Sequence, residues 1–346
     1  MEQGIVQQIE GTWLGFPDVA YYKGKFFVAI RVSTSHRSPT SHIEILFSND
    51  GIHYEKLTTM SEKAGVRWNC PRLSIDKESG IMFMTVDAVT VKKITDFIKA
   101  ENDPDLTSVH VFWTVDGANW REENKDLNIR GIVPDRMLFY PDNNLIAAHS
   151  FAQDRLVQSV YTSRYLDADW VKNDIQSPHN LCEGSICQVK DEFVCLMREN
   201  SGKGMGAFLS RSKNGSDWSE PVETRLFGAH RPTLGKLNSG NYLVTYREQG
   251  SATGKGNGTY WARNTFAALV TEKELLSKHP IQRFVILPLD HDSGNNPDGG
   301  YTGWIQLSDD SIYVVNYITG ESKKPYIKFY KFNENEIARI PIENMF

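Results

Sequence analysis

Apolar and polar residues alternate along this chain in short runs that recur as pairs. Each pair consists of two β-prone runs, and most pairs have a polar turn between the runs, such as Lys23-Gly24-Lys25 or Asn238-Ser239-Gly240, which is the pattern of a β-hairpin. Six such hairpins are recognised, over residues 16–31, 70–86, 134–149, 183–198, 231–247 and 301–317. The pattern predicts an all-β protein built from a repeated unit.

A tight polar turn is the second repeated element. It has Ser or Thr, then Asp or Asn, then Gly, with an aromatic residue three positions after the glycine; the copies are Ser48–Tyr54, Thr114–Trp120 and Ser212–Trp218. The Asp or Asn side chain can accept hydrogen bonds from the turn backbone, and Gly accepts a positive φ. We expect the aromatic residue to pack under the turn and fix a hairpin of two outer strands.

The repeats predict the architecture. Further β-prone sequence follows each hairpin, so we expect a four-stranded antiparallel unit of very roughly 50 to 70 residues. One such sheet cannot bury both of its faces, whereas a ring of six can. We therefore predict a six-bladed β-propeller that forms a single domain over residues 1–346. A β-sandwich has similar turn spacing, but it gives no reason for the motif to recur.

Three further segments carry structural expectations. Residues 4–9 are expected to pair with the last repeat. A short helix is expected over Val91–Ala100, and a glycine-rich loop over Gly250–Gly258 interrupts the repeats and could form a lid.

Composition and charge narrow the range of functions. The net charge of −5 argues against nucleic acid as the main partner, because phosphate binding needs a dense basic face. No run of about 18 apolar residues is present, so no membrane span is predicted. Residues 1–10 lack the apolar stretch of a signal peptide, which favours a cytoplasmic location, although a trimmed secreted form would look the same.

The four cysteines do not indicate a metal site. They are Cys70, Cys182, Cys187 and Cys195. Their spacing and the lack of histidine partners are unlike those of zinc or disulfide sites, so we expect buried, reduced thiols. The sequence therefore predicts neither a metal nor a cofactor.

The repeated polar turns resemble the Asp-box of the sialidases and their relatives, the BNR-repeat proteins. The resemblance covers nearly the whole chain and implies a six-bladed propeller, although an Asp-box marks a fold and not a reaction. In sialidases three arginines bind the substrate carboxylate. A glutamate activates a tyrosine nucleophile, and an aspartate is the acid/base. These roles can be transferred only where the residues of this chain match.

One hairpin is similar to the sialidase segment that supplies the activating glutamate and the second arginine. The matching residues are Leu181–Ser185 and Leu196–Arg198. The resemblance implies that Glu183 is the activating base and that Arg198 binds the substrate anion. Glu183 begins one strand and Arg198 ends the next, so both are expected at the same end of the repeat.

Two other segments extend the resemblance. Trp261–Asn264 is similar to the stretch that carries the third arginine, which implies that Arg263 binds substrate. Gly300-Tyr301-Thr302 resembles the Gly-Tyr-Ser segment of the family, which implies that Tyr301 is the nucleophile.

Two roles of the family have no matching residue. Residues 14–17, Leu-Gly-Phe-Pro, lack the first arginine, and residues 35–41 lack the acid/base aspartate, so sialic acid is a doubtful substrate. His36 in the second segment is the best acid/base candidate, because an imidazole titrates near neutrality. Asp18 begins the first inner strand and is an alternative for the same role. Asp298, in an acidic loop before Tyr301, could reach the same pocket.

The chemistry of these residues is consistent with glycoside hydrolysis. A phenol has a pKa of about 10, so Tyr301 would need Glu183 as a base. A neutral nucleophile also avoids repulsion from an anionic sugar. Further arginines lie at or near inner strand ends and could enlarge the anion clamp; they are Arg72, Arg231 and Arg247. Alternatively, some of these side chains only hold neighbouring sheets together.

Three hypotheses remain open at this level. The first is an exo-glycosidase that removes a terminal acidic sugar of the nonulosonic, ulosonic or uronic type, with retention of configuration and Tyr301 as nucleophile. The second is a non-catalytic propeller that binds an anionic glycan. The third is a propeller glycosidase in which a histidine acts and Tyr301 only stacks on the sugar.

Overall fold

The strands of the computed structural model build an all-β protein. It describes residues 1–60, 65–91, 100–123, 126–141, 143–152, 154–248, 263–292, 294 and 296–337. The helix predicted over Val91–Ala100 falls mainly on residues 92–99, and the loop predicted over Gly250–Gly258 falls on residues 249–262; both lie outside the described residues.

After the first strand, β1 (Glu2–Gln7), the chain forms a nine-stranded sheet. Its strands are β2 (Trp13–Tyr22), β3 (Lys25–Ser33), β4 (Ser41–Ser48), β5 (Glu55–Met60), β6 (Val66–Trp68), β7 (Arg72–Asp76), β8 (Ile81–Thr90), β9 (Thr107–Thr114) and β10 (Arg121–Glu122). The sheet contains two antiparallel runs of four strands, β2 to β5 and β7 to β10. Strand β6 joins the runs by pairing parallel with β4 and antiparallel with β8.

Three four-stranded antiparallel sheets follow along the chain. The first contains β11 (Leu138–Tyr140), β12 (Asn143–Ala152), β13 (Arg155–Ser163) and β14 (Val171–Asp174). The second contains β15 (Leu181–Val189), β16 (Glu192–Glu199), β17 (Gly206–Ser212) and β18 (Val222–Phe227). The third contains β19 (Ala229–Lys236), β20 (Tyr242–Glu248), β21 (Arg263–Val270) and β22 (Val285–Asp292), and the short helix α1 (Glu272–Leu275) follows β21.

The last sheet brings the two ends of the described chain together. It contains β23 (Gly299–Gln306), β24 (Ile312–Ile318) and β25 (Tyr326–Phe332), with β1 antiparallel to β25 at its edge. The predicted pairing of the N-terminal segment with the last repeat is therefore confirmed. The six predicted hairpins are also confirmed, as the pairs β2–β3, β7–β8, β11–β12, β15–β16, β19–β20 and β23–β24.

The apolar core is divided among the interfaces between consecutive hairpins. Val194 of β16 and Val244 of β20, for example, belong to one buried cluster. Six such clusters are found in the described part of the chain. One of them joins the first repeat to the last, with Val28 of β3 and Val315 of β24 in a single cluster. Each sheet is therefore stabilised by burying apolar faces against its neighbours.

The three repeated polar turns have one hydrogen-bonding pattern. The hydroxyl oxygens of Ser48, Thr114 and Ser212 each accept a bond of 2.9 Å from the N–H of the turn glycine. The Asp or Asn side chain of each turn accepts from the backbone N–H groups of the two residues that follow the glycine. All three aromatic residues pack against buried clusters, as predicted, and Trp218 also donates to the carbonyl of Gly215 at 2.9 Å.

The expectation for the cysteines is met. Cys70, Cys182, Cys187 and Cys195 are buried and free. No helix in the described part of the chain has the length and apolar character needed to cross a bilayer. The cytoplasmic location stays a prediction.

Candidate active site

A repeated β-bulge shapes one end of the hairpins. In four hairpins, two residues of the inner strand face one residue of its neighbour. The first bulged residue has a positive φ: Phe16 (53°), Glu183 (52°), Arg231 (47°) and Gly300 (90°). A non-glycine residue in this region costs about 1–3 kcal/mol, and such strain is typical of functional sites.

The bulges place three arginines at equivalent positions. In three of these hairpins, the inner-strand residue just before the bulge pairs with an arginine on the neighbouring strand. The arginines are Arg31 in β3, Arg198 in β16 and Arg247 in β20. Arg198 and Arg247 are among the site residues predicted from the sequence, whereas Arg31 is not. The signal was present, because the dipeptides Ile30-Arg31, Met197-Arg198 and Tyr246-Arg247 end three of the repeated hairpins.

The Tyr301 hydroxyl lies at the centre of the candidate site. It donates to Oε1 of Glu183 at 2.6 Å. It accepts from Nη1 of Arg198 and from Nη2 of Arg247, both at 3.1 Å. The guanidinium of Arg247 also lies 4.3 Å from the centre of the Tyr301 ring. The three predicted partners Tyr301, Glu183 and Arg198 are thus brought together, and Arg247 joins them.

Glu183 is held as a buried carboxylate. Its Oε1 also accepts from Nη1 of Arg198 at 2.9 Å, and its Oε2 accepts from the backbone N–H of Arg231 at 3.0 Å. Burial acts to raise the pKa of Glu183, but the charges of Arg198 and Arg247 and the hydrogen bond from Tyr301 outweigh it, so this pKa lies well below its usual range. Glu183 is therefore ionised at neutral pH and can accept a proton.

Tyr301 is a neutral phenol at rest. Its exposed fraction is 8%. Burial raises the pKa of Tyr301 well above its ordinary value, and the nearby Glu183 charge adds to the rise, although Arg247 and Arg198 oppose it. A free tyrosinate is thus not the resting form. Nucleophilic attack by this oxygen would require proton transfer to Glu183 during the reaction.

Asp298 is the centre of a second polar cluster. Its carboxylate accepts four side-chain bonds: from Nε1 of Trp13 at 2.9 Å, Nδ1 of His36 at 2.9 Å, Nη1 of Arg263 at 2.8 Å and the Tyr317 hydroxyl at 3.1 Å. Burial acts to raise the pKa of Asp298, but the hydrogen bond and charge of His36 and the charge of Arg263 lower it overall. Arg263 therefore lies beside Asp298 and not beside Tyr301.

Phe16 lies between the two clusters. Its ring centre is 5.4 Å from that of His36 and 5.5 Å from that of Tyr301. Trp13 and Tyr317 enclose it at 5.2 and 5.4 Å. An aromatic ring thus lies in the segment, residues 14–17, that corresponds to the first-arginine segment of the sialidases. His36 and Tyr301 flank that ring.

Arg31, the third equivalent arginine, is turned away from Tyr301. Its Nη1 donates to the backbone carbonyl of His36 and to Oδ1 of Asn69, both at 3.0 Å. Its guanidinium also lies over the rings of Trp13 and Phe16, at 5.0 and 5.5 Å. Arg31 therefore supports the backbone of the His36 loop.

Three residues proposed from the sequence are engaged elsewhere. Asp18 is fully buried and accepts two bonds from Arg136, at 2.6 and 2.9 Å. Arg72 donates to the Thr302 carbonyl at 2.9 Å, and the Arg231 side chain donates to a backbone carbonyl at 2.6 Å. These side chains join separate parts of the fold through the interior. The structure does not bring them to the Tyr301 hydroxyl, because each is held by a hydrogen bond to another buried group.

Arg247 is a positive charge beside Tyr301 that lacks a carboxylate partner in the described part of the chain. Arg198 is paired with Glu183, and Arg263 with Asp298. Within the described residues, Arg247 forms no ion pair; its partners are the Tyr301 hydroxyl, the Gly299 carbonyl and Nδ1 of His230 at 2.9 Å. Burial, together with the charges of Arg198 and Arg247, holds the pKa of His230 well below its usual range, so this imidazole is neutral.

Solved structures with the same fold include sialidases. A protein of unknown function from Dyadobacter fermentans is 16% identical, with a TM-score of 0.76 over 95% of this chain and 97% of that one. The Hadza microbial sialidase Hz136 is 13% identical, with a TM-score of 0.68 over 94% of this chain and 66% of that one. The Trypanosoma rangeli sialidase is 10% identical, with a TM-score of 0.66 over 92% and 55%.

These likenesses show that the chain has a divergent sialidase-like fold. Comparison with protein-family models and with curated proteins gives no match.

His149 should make the stability of the protein sensitive to acid. Its Nδ1 accepts the N–H of Glu183 at 3.2 Å, and burial lowers its pKa from 6.5 to about 4. Between these values the unfolded chain binds a proton that the folded protein does not. The free energy of unfolding should therefore fall as the pH falls, by about 1.5 kcal/mol from pH 6.5 to 5.

Urea unfolding at several pH values tests this. The variant His149→Asn keeps an acceptor but cannot titrate, so its stability should change less over this window. The control His279→Asn, at an exposed histidine, should follow the wild-type protein. Parallel curves for His149→Asn and the wild-type protein would contradict the assignment.

Gly300 should be required for the position of Arg247. Its φ is +90°, and a Cβ there would lie 2.6 Å from Cβ of Arg247. Gly240 has the same φ of +90°, but a Cβ at that position would meet nothing within 4 Å, so Gly240→Ala reports backbone strain alone. We expect Gly300→Ala to reduce the free energy of unfolding by about 1–3 kcal/mol more than Gly240→Ala. Urea titration measures the difference, and equal losses would refute the steric argument.

Proposed function

We propose that this protein is a retaining glycoside hydrolase that removes a terminal acidic sugar, with a six-bladed β-propeller as its scaffold. Six core clusters support the six-bladed ring, since each lies between consecutive hairpins and one joins the last repeat to the first. The enzymatic assignment depends on a single observation, which is the 2.6 Å hydrogen bond from the Tyr301 hydroxyl to Glu183 beside two guanidinium groups.

In the proposed first step, the Tyr301 oxygen forms a bond to the anomeric carbon while its proton passes to Oε1 of Glu183. The bond from that carbon to the leaving oxygen breaks, and His36 donates a proton to the departing group. In the second step, His36 removes a proton from water, which attacks the anomeric carbon and releases Tyr301. Glu183 then returns the proton to the phenolate. Two displacements at one carbon retain its configuration.

Asp298 supports the acid/base role of His36. Its carboxylate lies 2.9 Å from Nδ1 of His36, so it favours the tautomer with a proton on that nitrogen and leaves Nε2 to exchange a proton with the substrate. The His36 side chain is 44% exposed, which gives substrate access to the ring. On this proposal a histidine–aspartate pair takes the place of the aspartate expected in the loop at residues 35–41.

The charge of the site favours an anionic sugar. Arg247 has no carboxylate partner in the described part of the chain, and its neighbour His230 is neutral. A substrate carboxylate could accept from Arg198 and Arg247 in the planar geometry that guanidinium groups prefer. We therefore place the substrate among nonulosonic, ulosonic or uronic acid glycosides.

A non-catalytic glycan-binding function is the alternative. The Tyr301 oxygen already accepts two hydrogen bonds, so both of its lone pairs are occupied in the absence of substrate. A closed network of this kind also suits a rigid binding site for a sugar carboxylate. Turnover measurements separate the two functions.

Replacing the proposed nucleophile tests the assignment. We expect wild-type protein to hydrolyse one of a panel of aryl sialosides, ulosonides and uronides, but not a neutral aryl rhamnoside. Tyr301→Phe should lower kcat on the order of 10³-fold, because no oxygen remains to attack. Tyr242→Phe is the matched control, since Tyr242 is buried and its hydroxyl has no hydrogen-bond partner among the described residues. NMR of the first product gives its configuration.

An inverted product, or normal turnover by Tyr301→Phe, would refute the nucleophile. If an acidic sugar binds equally to both proteins and none of the panel is hydrolysed, the glycan-binding function is favoured.

Replacing His36 tests the acid/base role. His36→Ala should reduce kcat/KM strongly for alkyl glycosides, whose leaving oxygen must be protonated, and much less for nitrophenyl glycosides, which leave as stable anions. His279→Ala, at an exposed histidine, is the control and should change neither value. An equal loss for both leaving groups would show that His36 does not protonate the leaving group.

A further inference from the structure

Asp292 is a buried carboxylate that no step of the proposed reaction uses. It is the last residue of β22 and has an exposed fraction of 1%. Its oxygens accept four backbone N–H bonds: Oδ1 from Gly294 and Gly320 at 3.1 Å each, and Oδ2 from Asp298 and Thr319 at 3.0 Å each. These four partners are all backbone groups of loop residues, as expected for a side chain that holds loops in place.

One of the loops that Asp292 holds carries Asp298, and the other carries Thr319, which also bonds to Asp298. Asp292 binds the N–H of Asp298 directly, and Thr319, which it also binds, donates from Oγ1 to the carbonyl of Asp298 at 3.2 Å. The backbone of Asp298 is thus fixed on both sides of its Cα. The approach is close, since a Cβ on Gly294 would lie 2.3 Å from the Gly320 carbonyl oxygen.

Asp298 in turn meets side chains from separate parts of the fold. His36 lies in the loop after β3, Arg263 begins β21 and Tyr317 lies in β24. A carboxylate can satisfy donors from three directions only if its own position is fixed to within a fraction of an ångström. The Asp298 side chain cannot fix its own position, so that position must be set by the Asp298 backbone.

We propose that Asp292 is a positioning residue for the His36–Asp298 pair: by clamping the backbone of Asp298, it sets the orientation of the His36 ring. The inference deepens the proposed function, because the oriented ring is the proposed acid/base group. The contacts themselves do not depend on that function. The charged and titratable groups that face the pair are Arg31, Arg263 and Tyr317.

The test is NMR of the protein labelled with ¹⁵N-histidine, which reports the His36 tautomer without any substrate. In Asp292→Asn the amide nitrogen cannot accept, so two of the four backbone bonds are lost. We expect the preference for a proton on Nδ1 to weaken, so that the ¹⁵N shifts of the two ring nitrogens become more alike, because a looser Asp298 holds that proton less firmly.

Asp290→Asn is the matched control. It makes the same chemical change two residues earlier in the same strand, where the carboxylate accepts from Lys328 at 2.6 Å and from the Tyr330 hydroxyl instead. This variant should leave the His36 signals as in the wild-type protein. Asp298→Asn, which changes the direct partner of His36, should give the largest shift and calibrates the scale.

If Asp292→Asn does not fold, Thr319→Val decides the question, since it removes only the side-chain bond to the Asp298 carbonyl. It should shift His36 in the same direction by a smaller amount. His36 signals unchanged from wild type in a folded Asp292→Asn, or failing that in Thr319→Val, would overturn the proposal. If His36 responds but His36→Ala retains full turnover, the positioning stands and the proposed acid/base role fails.

Discussion

The ion pair between buried Glu183 and partly buried Arg198 is the interaction on which the candidate site depends. A carboxylate removed from water is costly unless its oxygens are paired, and here Arg198 satisfies one oxygen and the N–H of Arg231 the other. Glu183 also has a φ of 52°, a conformation that persists only in tightly packed surroundings. The bulge, the arginine across from it and the next sheet therefore form one unit, since altering any of them leaves a buried charge unpaired.

The repeat explains the scaffold, and departures from the repeat explain the chemistry. The position across from the residue before the bulge is Arg31, Arg198, Arg247 or Ile318 in the four bulged hairpins, and the corresponding positions in the other two hairpins are Asp87 and His149. Only two of these side chains contact the Tyr301 hydroxyl. A symmetric backbone thus delivers side chains to one end, and the identity of each residue decides whether it meets the substrate or supports a loop.

The hairpins could be predicted from the sequence because they are local: strand alternation and turn residues act over a few positions. Tyr301, Glu183 and Arg198 followed from a resemblance in short segments. The contact of His36 with Asp298 joins residues 262 positions apart, and no local pattern encodes it. Asp18 begins an inner strand as Glu183 does, but it lies two residues beyond Phe16, the bulged position, and is directed into the interior to pair with Arg136.

The geometry around Tyr301 also addresses the main energetic difficulty of the proposed reaction. Burial makes a phenolate at this position costly, since the pKa of Tyr301 is raised well above its usual range. The proton, however, moves only to Glu183, 2.6 Å away, so the negative charge passes from the carboxylate to the phenol oxygen as that oxygen attacks. Nη1 of Arg198 touches both, at 2.9 Å from the carboxylate and 3.1 Å from the phenol oxygen. The guanidinium of Arg198 therefore bonds to both the donor and the acceptor of the proton, so little reorganisation accompanies the transfer.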